Sequence, residues 1–458
     1  MTRDLRRDLG AALAAALPVL AAVLVGRHIQ DARHTLFVHW PPLLAEWDPH
    51  VGPGTPAALV VAAGVVAYGP PLALRLPWRA LLTAAWGTAM AWIWSLALID
   101  GWHRGIAVRL TTSNEYLQVI DRFHDIPATL RDFTHHILAQ SPAPWPAHIA
   151  GHPPAATVTF VLLDRIGLGG GGWAGVWCIT VGGTACVAVL VAVRALAGET
   201  LARRSAPFLV MAPAAVWMGT SADAYFAAVA AWSVALLALS VTSPPGPGRG
   251  RLVAPAVGSG LLFGLTVYLS YGLTLIAVIG AAVVLLGRKG ERLRPLPYVL
   301  VGAAVVPVLF TLLGFNWWEA YRLLVERYYQ GVGGTRPYGY WVWANLACTV
   351  LITGPATAAG IRRAGAALGR GPVLAGDGSL PSEEGAGAAR LGVLVLAVLP
   401  ALLIADLSGL SKAETERIWL PFAMWLLSAG ALLPRARGWL AAQAVLALLL
   451  NHLLLTGW

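Results

Sequence analysis

Residues 219–242 read GTSADAYFAAVAAWSVALLALSVT: one carboxylate, Asp223, followed by an apolar run long enough to cross a hydrocarbon core as a helix. Runs of this kind, about 15 to 22 residues long, recur at 11–26, 56–76, 79–99, 172–195, 206–220, 222–242, 252–269, 271–287, 297–315, 342–360, 391–405, 417–433 and 438–457. In lipid a backbone must satisfy its own hydrogen bonds, so such runs predict helices. The 458-residue chain is 57% hydrophobic and 12% charged, with a mean hydropathy of +0.67, far from the balance of a soluble domain. The expected fold is an all-α polytopic membrane protein, a single integral domain over 1–458 with about thirteen transmembrane helices.

Orientation follows from lysine and arginine, because positively charged short loops resist translocation. The expected cytoplasmic segments carry Arg3, Arg6 and Arg7; Arg75 and Arg79; Arg194, Arg203 and Arg204; Arg249 and Arg251; Arg288, Lys289, Arg292 and Arg294; Arg362, Arg363, Arg370 and Arg390; and Arg435 and Arg437. They hold 20 of the 32 basic residues against seven acidic ones, so the formal charge of +10 is a signal of topology. Scattered over short loops, these residues form no stripe that nucleic acid would need.

Several segments qualify this picture. Residues 154–168 are apolar but short and contain Asp164 and Arg165, which predicts a half-inserted or surface helix. The basic, Ala-rich N-terminus is read as a first helix and not as a cleaved leader. Cys178, Cys186 and Cys348 all fall in apolar runs and lack CxxC spacing, so neither a disulfide framework nor a thiolate metal site is expected. Residues 371–390 read as a flexible cytoplasmic linker rich in Gly, Ser, Pro and Ala. No internal repeat is evident, which weakly disfavours a transporter. The Ala, Gly, Arg and Leu bias with few lysines suits a high-GC bacterial source, hence a bacterial plasma membrane.

Between the third and fourth runs lies a polar island, 101–154, expected to be the outer catalytic loop. It contains Ser113-Asn114-Glu115-Tyr116, His148-Ile149-Ala150-Gly151-His152-Pro153-Pro154, the carboxylates Asp121, Asp125 and Asp132, and six of the eleven histidines. Ionisable groups beside a membrane are costly and mark functional candidates, although any one histidine also suits a loop anchored at headgroup level. Three other segments reach the same face. Asp223 is a lone carboxylate at the junction of two apolar runs, read either as functional or as the cap of the next helix. The loop 315–342 interleaves Arg322, Arg327 and Arg336 with Trp317, Trp318, Tyr321, Tyr328, Tyr329, Tyr338, Tyr340 and Trp341, which suits a stacked sugar or an interfacial aromatic belt. The turn Ser411-Lys412-Ala413-Glu414-Thr415-Glu416-Arg417 offers Lys412 and Arg417 to a lipid phosphate or to a snorkelling anchor.

Taken in order, an acidic position in the first outer loop, a His-Pro-Pro turn opening a short helix, a basic cytoplasmic turn and a Ser-x-x-Asp-like element at the next outer turn, here Thr220-Ser221-Ala222-Asp223, resemble the GT-C membrane glycosyltransferases. The nearest branch is that of the polyprenyl- or dolichyl-phosphate-mannose mannosyltransferases. The resemblance covers about Asn114 to Phe226, with an echo at Glu416-Arg417. It implies a sugar transferred from a polyprenyl-phosphate carrier to a glycolipid, polysaccharide or protein hydroxyl at the outer face, without cofactor or metal, and it places the general base on Glu115. Where that family commonly has an acidic pair, this chain has Asn114, so Asp121 and Asp125 remain alternatives for the proton. The implied substrate contacts are Asn114, Asp121, His148, His152, Asp223, Tyr271, Arg336, Lys412, Glu416 and Arg417.

The residue types fit that chemistry. An acceptor hydroxyl needs one carboxylate to take its proton, while a departing phosphate needs cations more than an acid. Glu115 with Lys412 or Arg417 supplies this minimum, unlike the two-carboxylate arrangement of glycosidases. A secondary transporter or flippase-like protein is the rival reading, but its ionisable groups are expected near the bilayer midplane.

Overall fold

A computed structural model describes residues 3–244, 250–369 and 383–457. Among these, eight helices are long and apolar enough to cross a membrane: Arg3–Arg33, Thr55–Arg75, Trp78–Asp100, Gly170–Ala197, Ala222–Thr242, Gly250–Leu269, Tyr338–Leu368 and Glu383–Leu407. A ninth is counted if Leu296–Leu312 and Trp317–Gln330, which bend by 78° across a short break, form one span. The protein is therefore all-α and polytopic, as its apolar runs imply.

The remaining expected spans take other forms. The run 206–220 is interrupted: helix Glu199–Val210 stops at Met211, because Pro213 disfavours helical backbone at the residue before it. Only the single turn Ala215–Met218 follows. The runs at 271–287 and 417–433 give the shorter helices Tyr271–Leu286 and Leu420–Leu432. The latter reaches only about 20 Å, and its residues from Leu420 to Leu427 are all buried inside the bundle. The last run forms Ala436–Leu453 and then a strand, Leu454–Thr456, antiparallel to Ala45–Trp47.

Burial orders the layers. The apolar window of Ala222–Thr242 is 83% buried, whereas that of Arg3–Arg33 is 11% buried. The Ala-rich sequence of the former lets neighbours approach closely, and it forms the centre of the bundle. Tyr338–Leu368 is central too, and it breaks at Gly354, whose φ of 76° lies in the left-handed region. Pro355 has no N–H to carry the helix on. The side chain of Gln443 fills the gap and donates to the Thr353 carbonyl at 2.8 Å.

The helices Arg3–Arg33 and Tyr338–Leu368 pack side by side. At one end the Tyr340 hydroxyl donates to the Ala22 carbonyl at 2.8 Å. At the other, the fully buried Asp8 accepts from Arg362 and Arg363 at 2.6 and 2.7 Å. These contacts are about 21 Å apart along Arg3–Arg33, and that 31-residue helix is about 45 Å long in all, more than the thickness of a hydrocarbon core.

Loops expected from the sequence prove more ordered. The island becomes a string of turns and short helices, among them Tyr116–Phe123, Ile126–Asp132 and Ala147–Gly151. Residues 154–168 contain the 11-residue helix Ala155–Arg165, too short to span a bilayer. Arg165 ties it to the island by donating to the carbonyls of Phe123 and His124 at 2.7 and 2.8 Å. Most of 315–342 is helical, as Trp317–Gln330 and Val332–Thr335. Of the expected linker 371–390, residues 371–382 lie outside the described residues, and the chain is helical from Glu383.

Candidate functional site

The His-Pro-Pro turn builds one wall. Pro146 opens the short helix Ala147–Gly151. Pro153 then holds His152 extended, at φ −128° and ψ 151°, as a residue before proline prefers. The amide of His148 donates to the Asn114 carbonyl at 3.1 Å, which joins this helix to the Asn114-Glu115 turn. Between them lies the buried ring of Tyr116, with centroids 5.4 Å from Phe160, 5.8 Å from His152 and 6.2 Å from His148.

On this frame a chain of ionisable groups converges. Glu115 is 3% exposed and its Oε1 lies 2.9 Å from His148 Nδ1. Arg417 Nη2 lies 2.9 Å from His148 Nε2. A guanidinium only donates, so Nε2 is the acceptor and the imidazole proton sits on Nδ1, facing the Glu115 carboxylate. Arg417 Nη1 donates to Asp223 at 2.6 Å, and Nη2 also reaches Glu414 at 2.7 Å. The two carboxylates hold the buried guanidinium protonated against the desolvation that opposes its charge. Glu414 has its pKa lowered to about 2 despite burial, through the charges of Arg417 and Arg336 and the hydrogen bond from Arg417.

The turn that delivers Arg417 is clasped from several sides. Ala413 and Glu414 both have positive φ, 72° and 61°, a conformation non-glycine residues seldom adopt. Arg336 donates to the carbonyls of Lys412 (2.7 Å) and Leu36 (3.0 Å). Lys412 Nζ donates to the Gly333 carbonyl at 2.8 Å, and the Tyr328 hydroxyl accepts from the Lys412 amide at 3.1 Å. Asn345 donates to Asp406 at 2.8 Å and to the Ser411 carbonyl at 2.6 Å. Three basic side chains thus stand within one short stretch of surface, all nearly buried.

The structure brings Glu115, His148, Asp223 and Arg417 into direct contact, with His152 beside them and Arg336 and Lys412 in the adjoining clasp. His152 donates its Nδ1–H to the His148 carbonyl at 2.7 Å and is pushed down to about 4 by burial, so it stays neutral. Glu416 faces elsewhere: its Oε1 accepts from the Leu44 amide at 3.0 Å, and burial pushes its carboxyl up to about 7. Asn114 contributes its backbone while its side chain is exposed. Asp121 is exposed, and Asp125 caps helix Ile126–Asp132 by accepting from the Ala128 amide at 2.9 Å. Tyr271 packs at a tilt against Trp317 and Tyr321, with centroids 5.1 and 5.6 Å away, in a separate aromatic cluster.

Two groups were not singled out from the sequence. Glu414 is one; its spacing of three residues from Arg417 was the available signal. The other is Asp100, which pairs with His50 and Arg109 at 2.9 Å and Arg104 at 3.5 Å. Arg109 also donates to the Thr456 carbonyl at 3.2 Å, so this cluster fastens the island to the terminal strand pair. Among the described residues, no three His, Cys, Asp or Glu side chains gather as a metal site.

No protein-family model matches the sequence, and no curated protein matches it. Solved structures do. One is ArnT from Cupriavidus metallidurans bound to undecaprenyl phosphate, with a TM-score of 0.46 and 14% identity over 77% of this chain and 60% of that one. A second is the Archaeoglobus fulgidus oligosaccharyltransferase tethered with an acceptor peptide containing the NVT sequon, with a TM-score of 0.44 and 14% identity over 77% and 49%. A third is the archaeal oligosaccharyltransferase AglB from Archaeoglobus fulgidus in complex with an inhibitory peptide and a dolichol-phosphate, with a TM-score of 0.39 and 13% identity over 82% and 50%. This chain spans between 49% and 60% of the length of those three.

Proposed function

We propose that the protein is a GT-C-type glycosyltransferase that moves a sugar, mannose in the first instance, from a polyprenyl-phosphate carrier to a hydroxyl acceptor on a glycolipid, polysaccharide or protein. The observation that carries this reading is the buried chain Glu115–His148–Arg417–Asp223, which joins three segments far apart in sequence. In the reaction, the acceptor oxygen attacks the anomeric carbon, its proton passes to Glu115, and the bond to phosphate breaks with inversion. His148 holds Oε1 of Glu115, and we assign Oε2 to the acceptor proton. The leaving phosphate is stable as an anion, so cations suffice for it. Arg417, Lys412 and Arg336 are the groups we assign to that task.

Sidedness supports the same reading. The Asp8–Arg362–Arg363 cluster lies at the far end of the helix pair from Tyr340, in company with the basic N-terminus. By the bias of arginine toward the cytoplasm, the site end is extracytoplasmic, in a bacterial plasma membrane. The Arg417 guanidinium already supplies positive charge between His148 and Asp223, which supports a reaction in which the lipid-linked sugar is the sole co-substrate and no metal takes part.

The test is Glu115→Gln in reconstituted vesicles supplied with polyprenyl-phosphate mannose and envelope acceptors. Loss of a general base lowers the rate by roughly 10² to 10⁴-fold, with donor binding retained. Asp125→Ala, which removes a helix cap, lowers thermal stability by about 1 kcal/mol and leaves the rate. Undiminished transfer by Glu115→Gln removes the proposed base, and solute uptake without transfer favours a transporter.

A further inference from the structure

At the opposite end of the bundle from Glu115, a cavity of about 430 Å³ opens between the ends of helices Thr55–Arg75, Glu199–Val210 and Ala436–Leu453. Its wall includes four arginines, Arg203, Arg204, Arg363 and Arg435, and no carboxylate. Two of the four are already committed. Arg203 donates to Glu199 and to the carbonyls of Ala73 and Leu76, and Arg363 to Asp8. Arg204 and Arg435 are exposed, and neither side chain has a hydrogen bond or ion pair among the described residues. Arg435 is held in the left-handed region, at φ 56° and ψ 48°, immediately before the 18-residue helix Ala436–Leu453. The unpaired amides and positive dipole end of that helix add to the field at the cavity.

The rest of the wall is apolar: Pro70, Leu74, Pro207, Phe208 and Leu433 among others. Leu74 is 55% exposed and continues the lipid-facing surface of Thr55–Arg75, so the cavity is continuous with the surface that acyl chains cover. A charged rim over an apolar floor at the membrane edge suits one ligand chemistry, an anionic phosphate carried on a lipid. We infer that this cavity binds the phosphate headgroup of an anionic membrane lipid, with Arg204 and Arg435 on the phosphate and Arg203 and Arg363 setting the walls. The site is independent of the Glu115 chemistry.

The experiment uses the full chain in nanodiscs of phosphatidylcholine containing a minor fraction of phosphatidylglycerol, with retained lipid counted by native mass spectrometry. Arg204→Gln combined with Arg435→Gln is expected to lower retention of phosphatidylglycerol by about twenty-five-fold, at roughly fivefold per arginine beside an anionic headgroup. Lysine at both positions restores most of it, and Arg437→Gln, exposed but outside the wall, changes it little. Equal retention by wild type and the double variant overturns the assignment. So does protection against heat by inorganic phosphate alone, dependent on Arg204 and Arg435, with no preference for phosphatidylglycerol over phosphatidylcholine: that result assigns the cavity to a soluble phosphate compound.

Discussion

Arg417 shows how a single side chain organises the candidate site. Its forked guanidinium reaches a carboxylate from the central helix, one from its own turn, and an imidazole from the island, and only arginine has donors in that arrangement. Asp223 and Arg417 were conspicuous in the sequence as charges beside apolar runs, whereas Glu115 and His148 stood out as members of the polar island, with the role of Glu115 implied by the family resemblance. Sequence reading did not weigh Glu414, since a residue in an irregular turn shows no periodicity, and it could not distinguish Glu416 from Arg417 by direction. The two neighbours in fact face different partners, and Glu416 titrates accordingly. Its folded value of about 7 lies above the ordinary 4.5, so the fold favours the acid form. That contribution is present in full below about pH 4.5 and is lost as pH rises through 7, by up to roughly 3 kcal/mol. Glu416→Gln retains an acceptor for the Leu44 amide and does not titrate. The variant is expected to gain thermal stability relative to wild type between pH 5 and pH 8; a difference that does not change with pH refutes the burial argument.

At the scale of elements, run length was the legible quantity and interruption was not. Ala222–Thr242, Gly250–Leu269 and Thr55–Arg75 lie within a few residues of their expected spans, because an unbroken apolar run in lipid has one backbone solution. The run 206–220 misled because one proline, Pro213, ends a helix that composition alone would continue. The run 417–433 misled because apolar character marks burial in protein as well as in lipid: Leu420–Leu427 is enclosed by other helices. The break in Tyr338–Leu368 is marked locally by Gly354-Pro355, and what was silent is its partner Gln443, some 90 residues away. An added Cβ at Gly354 would lie 1.8 Å from Gln443 Oε1, on a backbone whose φ is already +76°. Gly354→Ala therefore combines left-handed strain with loss of the Thr353 carbonyl's partner, and is expected to cost about 2 to 4 kcal/mol. Thermal unfolding in detergent measures it. Adding Gln443→Ala removes the clash but not the strain, so it is expected to recover part of the loss and never all of it.

For the whole molecule, the decisive property is polarity along the membrane normal. Asp8 with Arg362 and Arg363 marks one end, and Glu115 with Arg417 belongs to the other, beside the Tyr340 end of the same helix pair. Because Arg3–Arg33 is about 45 Å long, longer than a hydrocarbon core is thick, no tilt of ordinary size places both of its ends on one side of a bilayer. The two ends must therefore differ in access, whichever way the protein is inserted, and arginine bias selects the direction. Cysteine labelling tests both statements, since Cys178, Cys186 and Cys348 are buried and give little background. Asn114→Cys and Asp4→Cys each place a thiol on an exposed residue, one at each end. In intact cells a membrane-impermeant maleimide is expected to label the first and to reach the second only after permeabilisation. Labelling of both before permeabilisation would refute the transmembrane separation. The reverse pattern would keep the separation but put Glu115 in the cytoplasm, where the proposed carrier-dependent transfer at the outer face could not occur.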